Sequence, residues 1–125
     1  MRIYLVIFFC TVIAISSCKR TKGPEPVACT QEARAGINVT VKAAENGALL
    51  YDSVVVVITD GAYTETLMGA DPVNKTFSGA FERTGTYMVT AMHPSYQTGA
   101  LTGILVTRDE CHVIPQQVNM TLTHK

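Results

Sequence analysis

Within 125 residues, ten acidic side chains balance ten basic ones, 47% of the chain is apolar, and there is no tryptophan. Such a length holds one modest domain. The balanced charge argues against the basic footprint of a nucleic-acid or anionic-surface binder, and an aromatic content of 7% leaves few stacking platforms for bases or sugars.

In chain order, Met1-Arg2 supplies one positive charge, and "IYLVIFFCTVIAI" from Ile3 to Ile15 is almost wholly apolar. That run is shorter than the roughly twenty residues a membrane-spanning helix needs. A charged start, a short apolar core and small residues at its end predict a secretory signal peptide over residues 1–17. Ile15-Ser16-Ser17-Cys18 resembles the lipobox of bacterial lipoproteins. The resemblance implies that Cys18 is acylated (palmitate is one such group) and becomes the first residue after cleavage. Two or more acyl chains give stable attachment where one does not. The expected location is therefore the bacterial cell envelope, lipid-anchored, at the outer membrane. The plainer reading is an ordinary signal peptide cut near a cysteine.

Residues 18–28 follow as the lipidated cysteine and a flexible tether. "KRTKGPEPV", Lys19 to Val27, has two prolines, a glycine and several charges, and nothing to bury. Fully extended it reaches about 30 Å. After processing, Cys29 and Cys111 form the one remaining cysteine pair, and an exported chain makes a disulfide the default. Free thiols or metal ligands are the alternative.

The domain, residues 29–125, reads as strand after strand. "GINVTVKA" alternates, with Ile37, Val39, Val41 and Ala43 on one face. Asn46-Gly47 marks a turn. The β-branched run Val54 to Ile58 predicts a central strand covered on both faces or nearly so. Asp60-Gly61 signals a hairpin into "YTETLM". "GADPVNK" is a loop, and "TFSGAFE" a strand whose glycine marks a bulge or close approach. After Thr84-Gly85, "TYMVTAM" puts Tyr87, Val89 and Ala91 on one face. "HPSYQTG" connects to "ALTGILVT", Arg108-Asp109-Glu110 turns the chain, and "CHVIPQQVNMTLT" is the last strand. Its apolar parity switches between Val113 and Val118, which predicts a bulge at Pro115-Gln116. No segment has a sustained helical period. Seven short strands predict an all-β, seven-stranded antiparallel β-sandwich, prealbumin- or immunoglobulin-like.

"GINVTVKAAENGALLYDSVVVVITDG", "SGAFERTGTYMVTAMHPSYQT" and "TGILVTRDECHV" resemble the carboxypeptidase regulatory-like domain, a prealbumin-like sandwich. The resemblance covers Ala33 to Thr123. Its most specific parts are Gly85-Thr86-Tyr87-Met88-Val89 and Pro94-Ser95-Tyr96, where the family usually has glycine at the position of Ser95. The family implies a fold and an accessory role, not a catalytic site. Some transthyretin-like sandwiches hydrolyse a purine-degradation intermediate, using a tyrosine-rich C-terminal motif. This chain ends "NMTLTHK" and departs from them.

Chemistry-bearing residues are few. Cys111 and His112 are neighbours on a strand and point to opposite faces. His93, His112 and His124 lack the close spacing of zinc ligands and read as solvated or turn histidines. Asp109-Glu110 and Glu82-Arg83 read as turn charges, and Asp60, Asp71 and Asp109 do not form a calcium loop. Tyr87 suits a hydroxyl-to-backbone bond of the tyrosine-corner kind. Tyr63 and Tyr96, at strand ends, are the candidates for contact with a partner. The expectation is a non-enzymatic binding or structural module with no cofactor, metal site or nucleic-acid partner, which meets an envelope protein or glycan through the loops Tyr63 to Asn74 and His93 to Thr98. The alternative is a small envelope hydrolase or metal-dependent enzyme.

Overall fold

The computed structural model describes residues 23–125. The expected signal peptide, Cys18 and the start of the tether lie outside the described residues. Residues 23–33 are exposed and carry no regular structure.

Nine strands and no helix occur among the described residues: β1 (Ala35–Ala43), β2 (Leu49–Leu50), β3 (Val55–Asp60), β4 (Tyr63–Thr66), β5 (Met68–Asp71), β6 (Thr76–Phe81), β7 (Gly85–His93), β8 (Tyr96–Val106) and β9 (Gln116–Leu122). They form two sheets, one of β2, β1, β6, β5 and β9, the other in the order β4-β3-β7-β8. The pairings are antiparallel apart from β1 and β9, which run parallel from Ile37↔Gln116 to Ala43↔Leu122. The inner faces meet in one core. Ile37, Val39 and Val41 of β1 lie in it with Val56 and Ile58 of β3, Tyr87, Val89 and Ala91 of β7, and Val118, Met120 and Leu122 of β9. This is the arrangement of a β-sandwich.

Several elements differ from the sequence reading. The expected strand "YTETLM" is two strands in different sheets. Leu67 is the crossing point, buried at 5% exposure, with its amide donating to the Val56 carbonyl at 2.8 Å. Gly79 of β6 makes the crossing possible, because a Cβ there would collide with the Leu67 side chain. Leu49–Leu50 adds a short strand, so the count is nine instead of seven. The Val54–Ile58 run is central in its sheet but covered on one face only, since Val55 is 44% exposed. The sandwich has two layers, and among the described residues no third layer packs on that outer surface. The expected 93–99 connection shrinks to a tight turn, because His93 already pairs with Tyr96. The parity switch before Val118 is absorbed by a break before β9, not by a bulge within a strand: Val113 bridges to Arg108 and pairing resumes at Gln116.

Strand register defines two ends of the molecule. Ala35↔Phe81, Gly85↔Val106 and Ile37↔Gln116 put the start of β1 and the entries to β7 and β9 at one end. His93↔Tyr96 and Ala43↔Leu122 lie at the other. The nine residues of β7 separate the ends by roughly 30 Å.

Candidate functional site

The first end holds a polar network built on two turns. Between β8 and β9, the Asp109 carboxylate accepts the amides of Cys111 and His112, each at 2.8 Å. This side-chain mimic of a turn holds Asp109 below its ordinary carboxylate range, first through the His112 amide and then the Cys111 amide. After β6, Glu82 adopts φ 51°, a left-handed conformation that costs a non-glycine residue free energy. In that conformation Glu82 Oε1 accepts the Arg34 amide at 2.8 Å and meets His112 Nδ1 at 2.9 Å, while Oε2 accepts the Val113 amide at 3.4 Å. These donors, Arg34 first and His112 next, keep the Glu82 carboxyl ionised to lower pH than usual.

An ionised carboxylate only accepts, which assigns the His112 proton to Nδ1. In the neutral imidazole Nε2 is then an acceptor for the Thr30 hydroxyl at 2.9 Å. His112 is 6% exposed. One residue away on each segment, Cys29 and Cys111 are joined, with sulfurs 2.02 Å and Cα atoms 5.2 Å apart. The hydroxyl, imidazole and carboxylate thus stand in the order of a nucleophile, base and orienting group.

Thr30, Cys111 and His112 line a recess of about 760 Å³, together with Arg34, Arg108 and Val27. Its two guanidiniums are engaged: Arg34 Nε pairs with Glu32 at 2.6 Å, and Arg108 Nη2 donates to the Cys111 carbonyl at 3.2 Å. In the turn that carries His112, the amides of Cys111 and His112 are turned to Asp109. An oxyanion hole needs donors aimed at the developing charge, and these donors are committed elsewhere.

Sequence reasoning missed this constellation. It tested chain neighbours, whereas Thr30 and His112 are 82 positions apart and Glu82 and His112 are 30. His112 and Glu82 do lie in turns, as expected, but they are held in this network and not freely solvated. The available signal was the cysteine pair, since a bond between Cys29 and Cys111 brings their neighbours Thr30 and His112 together.

The tyrosines stand at opposite ends. Tyr63 is half-buried; its hydroxyl donates to Glu65 Oε2 at 2.6 Å, and the Arg83 guanidinium lies 3.8 Å from its ring centre. Arg83 is no free turn charge: Nη1 donates to Asp60 at 2.8 Å and to the Tyr87 hydroxyl at 2.7 Å. The Tyr87 hydroxyl in turn donates to the Arg83 carbonyl at 3.1 Å, the expected tyrosine-corner bond. At the far end, Tyr96 donates to Glu45 at 3.0 Å and its ring lies between His93 and His124, with centroids at 5.0 and 5.3 Å. Asp60, Asp71 and Asp109 each serve a separate turn or ion pair. Among the described residues, no three of His, Cys, Asp or Glu are grouped to hold a metal ion.

The fold and site define a disulfide-latched all-β domain. No protein-family model matches the chain, and no curated protein matches it either.

Proposed function

We propose that the protein is a lipid-anchored binding module of the bacterial envelope, acylated at Cys18 and carrying a carboxypeptidase regulatory-like, prealbumin-like domain. One observation carries the non-enzymatic part of this reading. The side-chain polar atoms of the Thr30–His112–Glu82 series are all hydrogen-bonded, the Thr30–His112 and Arg34–Glu82 contacts hold the N-terminal segment to the body, and the adjacent amides are tied to Asp109. The network is a latch. It fixes the point where the tether leaves, at the first end of the sandwich. Tyr96 and its flanking histidines lie at the end opposite and face away from the anchor. The partner contact belongs there, with Tyr63 as a second contact at the tethered end. A protein or neutral glycan suits the balanced charge.

Two measurements test the reading. Metabolic labelling with a tagged fatty acid should mark the wild type and leave Cys18→Ala unmarked; equal labelling refutes the anchor. Crosslinking in cells from a photoreactive group at Gln97, beside Tyr96, should capture a discrete partner that Tyr96→Ala loses. No product, or one unaffected by Tyr96→Ala, refutes the contact surface.

A second reading is favoured by the order of hydroxyl, imidazole and carboxylate beside the recess: a small hydrolase of esters. Thr30 Oγ would attack the carbonyl carbon, its proton would pass to His112 Nε2, and that proton would leave with the alcohol. Water would then release the acid. Ester hydrolysis abolished by both Thr30→Val and His112→Gln, with folding intact, would establish it over the latch.

A further inference from the structure

Among the described residues, nothing packs on the outer face of the β4-β3-β7-β8 sheet. Val55, Met88, Met92 and Leu105 are 37–56% exposed on it. Cross-strand register makes the patch continuous: Val55 faces Met92, Val57 faces Thr90, and Leu105 faces Thr86. With Val57, the remaining outward positions of β3, β4 and β7 are the threonines Thr59, Thr64, Thr66, Thr86 and Thr90, so no outward side chain of those strands carries a charge. A solvated sheet face ordinarily alternates toward charged and polar residues, and exposed apolar patches of this kind mark contact sites.

We infer that this face is the interface of a homodimer, in which two copies pack sheet to sheet with Val57 and Thr90 at the centre. The area is the right size. Four strands at about 4.8 Å spacing and roughly 25 Å long give on the order of 500 Å² in projection. Side-chain relief raises the accessible area toward the roughly 800 Å² per partner of a standard interface. Two identical uncharged faces meet without burying an unpaired charge, and threonine hydroxyls pair with one another across a two-fold axis. A membrane is a poorer occupant, since the face has none of the lysine, arginine or tryptophan that holds interfacial segments to headgroups. The twist of each sheet permits aligned packing about 10 Å apart. A two-fold axis along the strands keeps both Thr30 ends pointing the same way, so the pairing is compatible with two tethers reaching one membrane but does not depend on the anchor.

The test uses the full chain in cells and purified in mild detergent. Thr90→Cys treated with a short bismaleimide should give a product of twice the monomer mass, and Asn119→Cys, exposed on the outer face of the other sheet, should not. Adding Val55→Lys and Leu105→Lys, both at exposed positions, should reduce the Thr90→Cys product at least tenfold. Sedimentation should give a dimer mass for the wild type and a monomer mass for the double lysine variant. A monomeric wild type at all concentrations overturns the proposal. So does equal crosslinking from Asn119→Cys, or a Thr90→Cys product containing another protein or lipid. Repeating the crosslink in Cys18→Ala separates the two questions, because loss of the lipid label leaves the dimer product unchanged.

Discussion

Glu82 Oε1 and His112 Nδ1, on residues 30 positions apart, lie 2.9 Å from each other at the centre of the latch that joins the N-terminal segment to the β8–β9 turn. The same carboxylate also accepts two backbone amides. Its protonation state is therefore tied to the folded state, and so is that of Asp109, which accepts two amides in the adjacent turn.

Stability should depend on pH through these two carboxylates. Both are held below their ordinary range in the folded protein. Their contribution is fully present above the unfolded-state values near pH 4 and is lost as pH falls through and below that range, because the unfolded chain then binds more protons. Urea midpoints should be level from neutral pH to about pH 5 and fall steeply below about pH 4. Glu82→Gln should lower the neutral midpoint and flatten the acid limb. An unchanged acid limb would show that Glu82 is not coupled to folding.

Reducing the disulfide should destabilise the domain and free its N-terminal segment. Cys29 and Cys111 are 82 positions apart, and closing a loop of that size restricts the unfolded chain by about 4–5 kcal/mol in the entropy model. Part of that loss is expected when urea unfolding is compared with and without reductant. Hydrogen exchange should then show faster exchange at the amides of Cys111 and His112 than at those of β1.

Tyr87→Phe should cost about 1–2 kcal/mol. The ring is buried at 1% exposure, and its hydroxyl both accepts from Arg83 Nη1 and donates to the Arg83 carbonyl. Phenylalanine keeps the packing and removes both bonds. Chemical denaturation checks the value, and a change within error would make the corner dispensable.

Tyr63 should ionise late. Its hydroxyl bond to Glu65, followed by burial and the nearby carboxylate charge, pushes its pKa up to about 12. A raised folded-state value means that stability is retained below the ordinary tyrosine range near pH 10 and declines as pH rises toward 12. Ultraviolet titration should show a late component in the wild type that shrinks in Glu65→Gln; Tyr96, raised by its own bond to Glu45, is not affected by that change. If Glu65→Gln leaves the late component unchanged, the Tyr63–Glu65 bond does not persist in solution.

The period-two placement of Ile37, Val39 and Val41, and of Tyr87, Val89 and Ala91, was legible from sequence because alternation along one strand is a local property of the backbone. Every one of those residues is in the core. The same logic made the Asp60-Gly61 hairpin legible, and the cysteine pair followed from counting. Partners brought from afar were not legible. The crossing at Leu67 needs the space left by Gly79 on another strand, and the parallel pairing of β9 with β1 joins the two ends of the domain. The Thr30–His112–Glu82 latch forms only when three separate segments converge. A one-dimensional pattern reports which face a residue takes. Which other segment then supplies its partner is decided by packing the whole chain, so most strands could be read from sequence while the short β2, the β4–β5 crossing, the latch, the two ends and the uncharged outer face came only from the tertiary structure.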